Sequence, residues 1–154
     1  MITIYTSPSC TSSRRAKKWF ETHDMPYQEI NINQTPITRN MLVQLLAKTE
    51  NGFDDILSKR SNVYKAHHDD IEEMSMNQLI DFIIENPTVL KRPIIVDKTR
   101  FIVGFDEEEI RTFLPRKHRA TTLHPMFKYG EEYNFIVYNT PVSQPQLNTS
   151  IAPC

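Results

Sequence analysis

Ile4-Tyr5-Thr6-Ser7-Pro8-Ser9-Cys10-Thr11-Ser12-Ser13 is the stretch on which the fold of this chain turns. Its front end, from Met1 to Tyr5, carries β-branched and aromatic residues and predicts a strand that stops at Thr6-Ser7-Pro8-Ser9. Behind it, Ala16, Trp19, Phe20 and His23 recur at helical spacing, while Arg14, Arg15, Lys17 and Lys18 take the other positions. Cys10 therefore sits where a strand hands over to an amphipathic helix. First-turn amides and the helix dipole favour a thiolate at such a position, and Arg14 and Arg15 add positive charge nearby. A disulfide oxidoreductase places its second cysteine three residues further on. Here that position is Ser13, so the dithiol cycle between neighbours is unavailable. Read blandly, Cys10 is a small buried hydrophobe; its place at a helix start favours reactivity.

Outward from this stretch, Tyr27 to Ile32 predicts a second strand after Pro26, giving strand, helix, strand. Pro36 opens a different region. Thr38 is a candidate N-cap for a helix striped by Leu42, Leu45 and Leu46, and Asn51-Gly52 is a turn signal. Short helical pieces are expected near 54–57 and 62–67. Ser75-Met76-Asn77-Gln78 reads as a capping box in front of Leu79, Ile80 and Ile83, and Asn86-Pro87 ends that helix. The sheet resumes at Pro93-Ile94-Ile95-Val96-Asp97, turns at Lys98-Thr99 and returns as Phe101-Ile102-Val103, ended by Gly104. Asp106 and Glu109 predict the start of a last helix bearing Ile110, Phe113 and Leu114, closed by Pro115. The fold class is α/β, with a mixed sheet and a helical insertion. Residues 1–35 and 88–119 form the core, 36–87 the insertion, and 120–154 a divergent, partly disordered tail, in which Tyr133 to Tyr138 could still add a strand.

The composition narrows the function. With 154 residues there is enough chain for one domain carrying an insertion. The three glycines, Gly52, Gly104 and Gly130, stand alone, which excludes a Walker-type phosphate loop and a dinucleotide fingerprint. Two cysteines, Cys10 and Cys154, make neither a disulfide framework nor a cysteine-based zinc site. A bond between these two needs a long, loose tail, and nothing in the sequence positions it. A net charge of −1 argues against a protein that holds DNA alone through a broad basic face. No targeting segment or membrane-length apolar run is visible, so the expected address is the cytoplasm and the Asn148-Thr149-Ser150 sequon carries no meaning. No cofactor is expected. Adjacent histidines His67 and His68 point in different directions on a helix, and no third ligand has useful spacing, so no metal is expected either.

Several ordered motifs together resemble the Spx regulators. They are the opening stretch through Ser12, Thr49-Glu50-Asn51-Gly52, Arg60-Ser61, Arg92-Pro93-Ile94-Ile95-Val96-Asp97, Val103-Gly104-Phe105 and Ile110 to Arg116, spread over roughly residues 1–119. The resemblance implies a thioredoxin-like fold of the arsenate-reductase type. It implies a transcription regulator active under thiol or oxidative stress, without catalytic turnover, that binds the C-terminal domain of the RNA polymerase alpha subunit. On the same basis Gly52 and Arg60 match the partner-binding surface and Arg92 the basic neighbour of the redox site, with Pro93 the expected cis proline facing Cys10. Promoter DNA is expected to be touched only within the polymerase complex, and the free protein to be monomeric. The chain departs from the family in having Cys-x-x-Ser, which leaves Cys10 as a monothiol redox handle open to mixed-disulfide modification. The tail after Arg119 does not look like the family's helical end, which bears on control by ClpXP and its adaptor, since that recognition reads the C-terminal region.

Two other classes compete with this reading. An arsenate reductase also starts a helix with its cysteine, and Arg60 and Arg92 could serve its oxyanion. It expects glycine-arginine after the last strand, where this chain has Gly104-Phe105. A glutaredoxin-like monothiol oxidoreductase is the weaker variant of the same class, since nothing marks a glutathione site. A direct DNA binder would use Arg14 to Lys18 and Arg116 to Arg119, which otherwise read as solvated helix ends.

Overall fold

Five residues of β1 (Ile2–Thr6) pair in parallel with β2 (Tyr27–Asn31), Ile2 opposite Tyr27 and Thr6 opposite Asn31, and α1 (Thr11–Thr22) connects them. The computed structural model describes residues 1–116. On the other side of β1 lies β3 (Ile94–Val96), antiparallel, and outside it β4 (Phe101–Val103), also antiparallel. The strand order β2-β1-β3-β4 makes the expected mixed sheet.

Adjacent residues of a strand face opposite sides of the sheet. Ile4 and Ile95 are fully buried on one face, with Ala16 and Phe20 of α1 and with Ile110 and Phe113. Their neighbours Tyr5 and Ile94 are buried on the other face, with Leu42, Leu45, Ile56, Ile80, Ile83 and Leu90. Two-sided burial explains why Pro93 to Val96 reads as a continuous apolar run rather than an alternating one.

The second face is covered by the helices between β2 and β3: α2 (Arg39–Leu46), α3 (Phe53–Ile56), α4 (Asn62–Ala66), α5 (His68–Glu73) and α6 (Met76–Glu85). Thr38 Oγ1 accepts from the Met41 amide, and the Ser75–Gln78 capping box is complete in both directions. Helix α5 has no counterpart in the sequence reading. In His-Asp-Asp-Ile-Glu-Glu only Ile71 is buried, so no apolar stripe announces it. Asp69 and Asp70 in its first turn suit the helix dipole. His67 lies 3.4 Å from Asp70, and His68 lies 3.2 Å from Asp69 and 3.9 Å from Glu72.

The last helix departs from expectation. Asp106 does accept the Glu108 and Glu109 amides, but Glu109 makes no reciprocal cap, and only a 3-10 turn forms over Ile110–Phe113. Pro115 is the reason: it pushes Leu114 to extended angles, φ −62° and ψ 139°, leaving room for one turn. Among the described residues no helix is long and apolar enough to cross a membrane. The expectations for Lys117 to Cys154, including a strand at 133–138 and most of the basic cluster after Pro115, lie outside the described residues.

Candidate functional site

Pro8 and Ser9 turn the chain out of β1, and the Cys10 amide donates to the Ser7 carbonyl at 3.0 Å. This places Cys10 at the N-cap of α1, where side-chain acceptors normally sit. Its Sγ accepts the Ser13 amide at 3.4 Å, and its backbone carbonyl accepts from Arg14 at 3.2 Å. The residue is 2% exposed and is disulfide-bonded. The amide aimed at the sulfur stabilises negative charge there when the sulfur is a thiolate. The Arg92 carbonyl, 3.7 Å from Sγ, is in place to accept the S–H of the reduced form.

Ser13 is 1% exposed, and its Oγ has no hydrogen-bond partner. A hydroxyl buried without a partner costs about 1–3 kcal/mol, so this position is not built for oxygen. The peptide bond between Arg92 and Pro93 is cis, as expected. The Arg92 Nε is buried without a partner, and burial pushes the guanidinium below its ordinary value.

Arg60 reaches the same place by a separate route. Leu57 and Leu90 form an antiparallel bridge, flanked by the Lys91 amide on the Ile56 carbonyl at 2.7 Å and the Ser58 amide on the Val89 carbonyl at 2.8 Å. This seam ties the turn after α3 to the segment leading into Arg92. Arg60 and Arg92 consequently line one open cleft, together with Lys65 and with Ser7, Ser9 and Asn33 across from them. Lys65 and Asn33 were not singled out from the sequence. Asn33 follows an Asx turn on Asn31 and donates to Ser7 Oγ, and Lys65 lies four residues beyond the Ser61 N-cap; both signals are local and silent about the cleft. Beside Ser7, Thr6 and Lys17 both donate to the Glu29 carboxylate. Burial pushes that carboxyl up, but these two donors outweigh it and hold it below the ordinary range.

Gly52 does not line the cleft. It starts α3 with φ 63° and ψ −127°, a region that only glycine enters readily, and a Cβ built there meets nothing within 4 Å. The loop before it is tied down by Asp55, whose carboxylate accepts the Glu50 and Asn51 amides at 2.9 Å and the Asn51 side chain at 3.1 Å. The sequence-predicted residues thus fall in two places. Arg60 and Arg92 line the cleft, with Cys10 buried against the Arg92 carbonyl and Ser13 buried beside it, and Gly52 stands apart at the start of α3. The position after Gly104 holds Phe105, with the Arg15 guanidinium 4.7 Å from its ring centroid. An arsenate-type oxyanion site wants a cation at that position.

The ArsC family model matches residues 5–113. The Global transcriptional regulator Spx of Streptococcus mutans is 47% identical over 123 residues, covering 80% of this chain and 90% of the relative. That of Streptococcus pneumoniae R6 is 48% identical over the same length, covering 80% and 92%. Solved structures share the fold at lower identity. An ArsC family related protein from Bacteroides fragilis has a TM-score of 0.64 at 22% identity, covering 72% of this chain and 95% of its own. An arsenate reductase from Vibrio cholerae has a TM-score of 0.61 at 20% identity, covering 72% and 92%. The arsenate-reductase likeness is therefore one of fold, and the much closer sequence likeness is to regulators. Matched by the ArsC family model over residues 5–113 and 47–48% identical to Spx regulators over 80% of its length, the chain belongs to the ArsC family and, within it, to the Spx regulators.

Proposed function

We propose that this protein acts in the cytoplasm as a stress-responsive transcription regulator that docks on the C-terminal domain of the RNA polymerase alpha subunit. Its main support is the 47–48% identity to proteins named global transcriptional regulators over four-fifths of the chain. Docking uses the surface around Gly52, which starts α3, and around Arg60, four residues beyond its end. The open space in front of Gly52 supports this, since a turn without a side chain lets another backbone approach closely. Arg60 is exposed on the cleft and supplies charge for the same contact. Cys10 is the redox handle, with Arg92 beside it. Promoter DNA is met only within the polymerase complex, where Arg14 and Lys18, exposed on α1, add weak phosphate contacts.

Turnover is not part of this reading. Phe105 replaces the third cation that an oxyanion site wants. The test is retention of the full chain on immobilised alpha C-terminal domain, beside an arsenate-reduction assay with glutathione. Retention without turnover supports the proposal. Sustained turnover, or a folded chain that fails to bind, overturns it.

A further inference from the structure

The second face of the sheet is not covered along its whole length. Thr3 and Tyr5 of β1 share that face by alternation, and Val96 of β3 pairs beside Thr3. Together with Met41 and Leu45 of α2 they wall an open cavity of about 570 Å³, a size within the range of small-molecule sites. The cavity shares no lining residue with the cleft of Arg60 and Arg92.

One polar group in this wall has nothing to bind. Tyr5 is 6% exposed, and its hydroxyl makes no hydrogen bond among the described residues. Tyrosine hydroxyls buried to this degree normally find a partner, because an unmatched one destabilises the fold. Burial alone raises its pKa above the ordinary value, so the group stays protonated and can donate. The charges around the cavity choose the acceptor. Lys48 is half-buried and uses one proton of its ammonium on the Lys98 carbonyl at 2.7 Å, which leaves two others. Lys98 is exposed on the same rim. The one carboxylate in the lining, Asp97, accepts the Thr99 and Arg100 amides and pairs with the Arg100 guanidinium at 3.0 Å, so it is already committed to its own turn.

We propose that this cavity binds a small carboxylic acid with an apolar body. The carboxylate accepts from the Tyr5 hydroxyl and faces the Lys48 ammonium, and the body lies on Met41, Leu45 and Val96. Methionine suits such a wall because its unbranched thioether adapts to bodies of different shape. The inference does not rest on polymerase docking. Lys48 precedes Gly52 by four positions, so a filled cavity would alter the surface that leads into the proposed docking turn.

Octanoate is the probe, titrated to low millimolar concentration into the reduced full chain and followed by backbone amide chemical shifts. Octan-1-ol carries the same body without the charge, and acetate the charge without the body. The expected result is saturable shifts at Thr3, Tyr5, Leu45, Lys48 and Val96 with a Kd of about 1 mM or tighter. Octan-1-ol should bind at least about fivefold more weakly, and acetate not measurably. Tyr5→Phe keeps the ring and loses no existing bond, so it should fold normally and bind octanoate about tenfold more weakly. Lys48→Met should weaken it about threefold, because that charge is partly screened by solvent. Shifts that do not saturate, shifts centred on the Arg60–Arg92 cleft, equal binding of octan-1-ol, or unchanged binding by Tyr5→Phe would each overturn the inference. So would shifts at these residues with the alpha C-terminal domain and none with octanoate, which would give the cavity to a protein contact instead.

Discussion

Substitution of Gly52 separates backbone strain from occlusion at the proposed docking turn. At φ 63° and ψ −127° a residue with a Cβ sits in a sparsely populated region, which costs about 1–3 kcal/mol. The added Cβ meets nothing within 4 Å, so no steric cost inside the fold adds to that figure. Gly52→Ala should therefore lower the unfolding free energy by about 1–3 kcal/mol. Gly52→Arg should lower it by the same amount to within about 0.5 kcal/mol, because the extra atoms extend into solvent. Urea unfolding followed by circular dichroism measures both, with an unchanged m-value as the check that the same surface is exposed. Equal losses for Ala and Arg identify the backbone as the cause. An Arg variant much less stable than the Ala variant would refute the reasoning, since it would mean that the space in front of Gly52 is filled. An unchanged Ala variant would refute it from the other side, by showing that the turn relaxes freely.

Three further outcomes follow from the same geometry. Ser13→Ala should leave stability unchanged or raise it by up to about 1 kcal/mol in denaturant unfolding, because it removes a buried hydroxyl without a partner; a clear loss would show that the oxygen is satisfied. Phe20→Ala should cost about 3–5 kcal/mol, since the ring is fully buried edge-on to Trp19 and Phe113, and a loss under 1 kcal/mol would contradict that packing. The Asn51 backbone and side-chain donors, with Glu50 and the nearby Lys91 charge, outweigh the opposing effect of burial and hold the Asp55 carboxyl below the ordinary range. A depressed folded value means that its contribution is present above the unfolded carboxylate pKa and is lost as pH falls through the folded value. The Asn51 amide resonance should therefore shift only in acid below the ordinary aspartate range, and a midpoint at or above that range would contradict the loop geometry.

The sheet was legible in the sequence because each strand carries its own punctuation. Pro26, Pro93 and Gly104 mark strand ends, and Ile4-Tyr5 and Ile94-Ile95 are apolar on both faces because both faces are covered. Helices α2 and α6 were legible for a different reason, a side-chain cap followed by an apolar stripe. Helix α5 was not, because a single buried Ile71 among acids leaves no period to read. At 110–113 the sequence predicts a longer element than the 3-10 turn that forms, since a cap at Asp106 is visible locally while the limit set by Pro115 depends on how few residues remain between them. At the site, the helix-start position of Cys10 followed from local pattern. The joining of Arg60 to Arg92 did not, because it depends on the Leu57–Leu90 bridge, a pairing across 33 positions that no local spacing announces. Lys65 and Asn33 were invisible for the same reason.

The most direct test of the central claim is calorimetric titration of the reduced wild-type chain, Gly52→Ala and Gly52→Arg into the isolated alpha C-terminal domain. Micromolar binding, about −8 kcal/mol, is predicted for the wild type. The Ala variant, carrying the same backbone strain as Arg but little bulk, should stay within about tenfold, and the Arg variant should lose measurable binding. No binding by a folded wild-type chain, or equal binding by Gly52→Arg, would contradict the account.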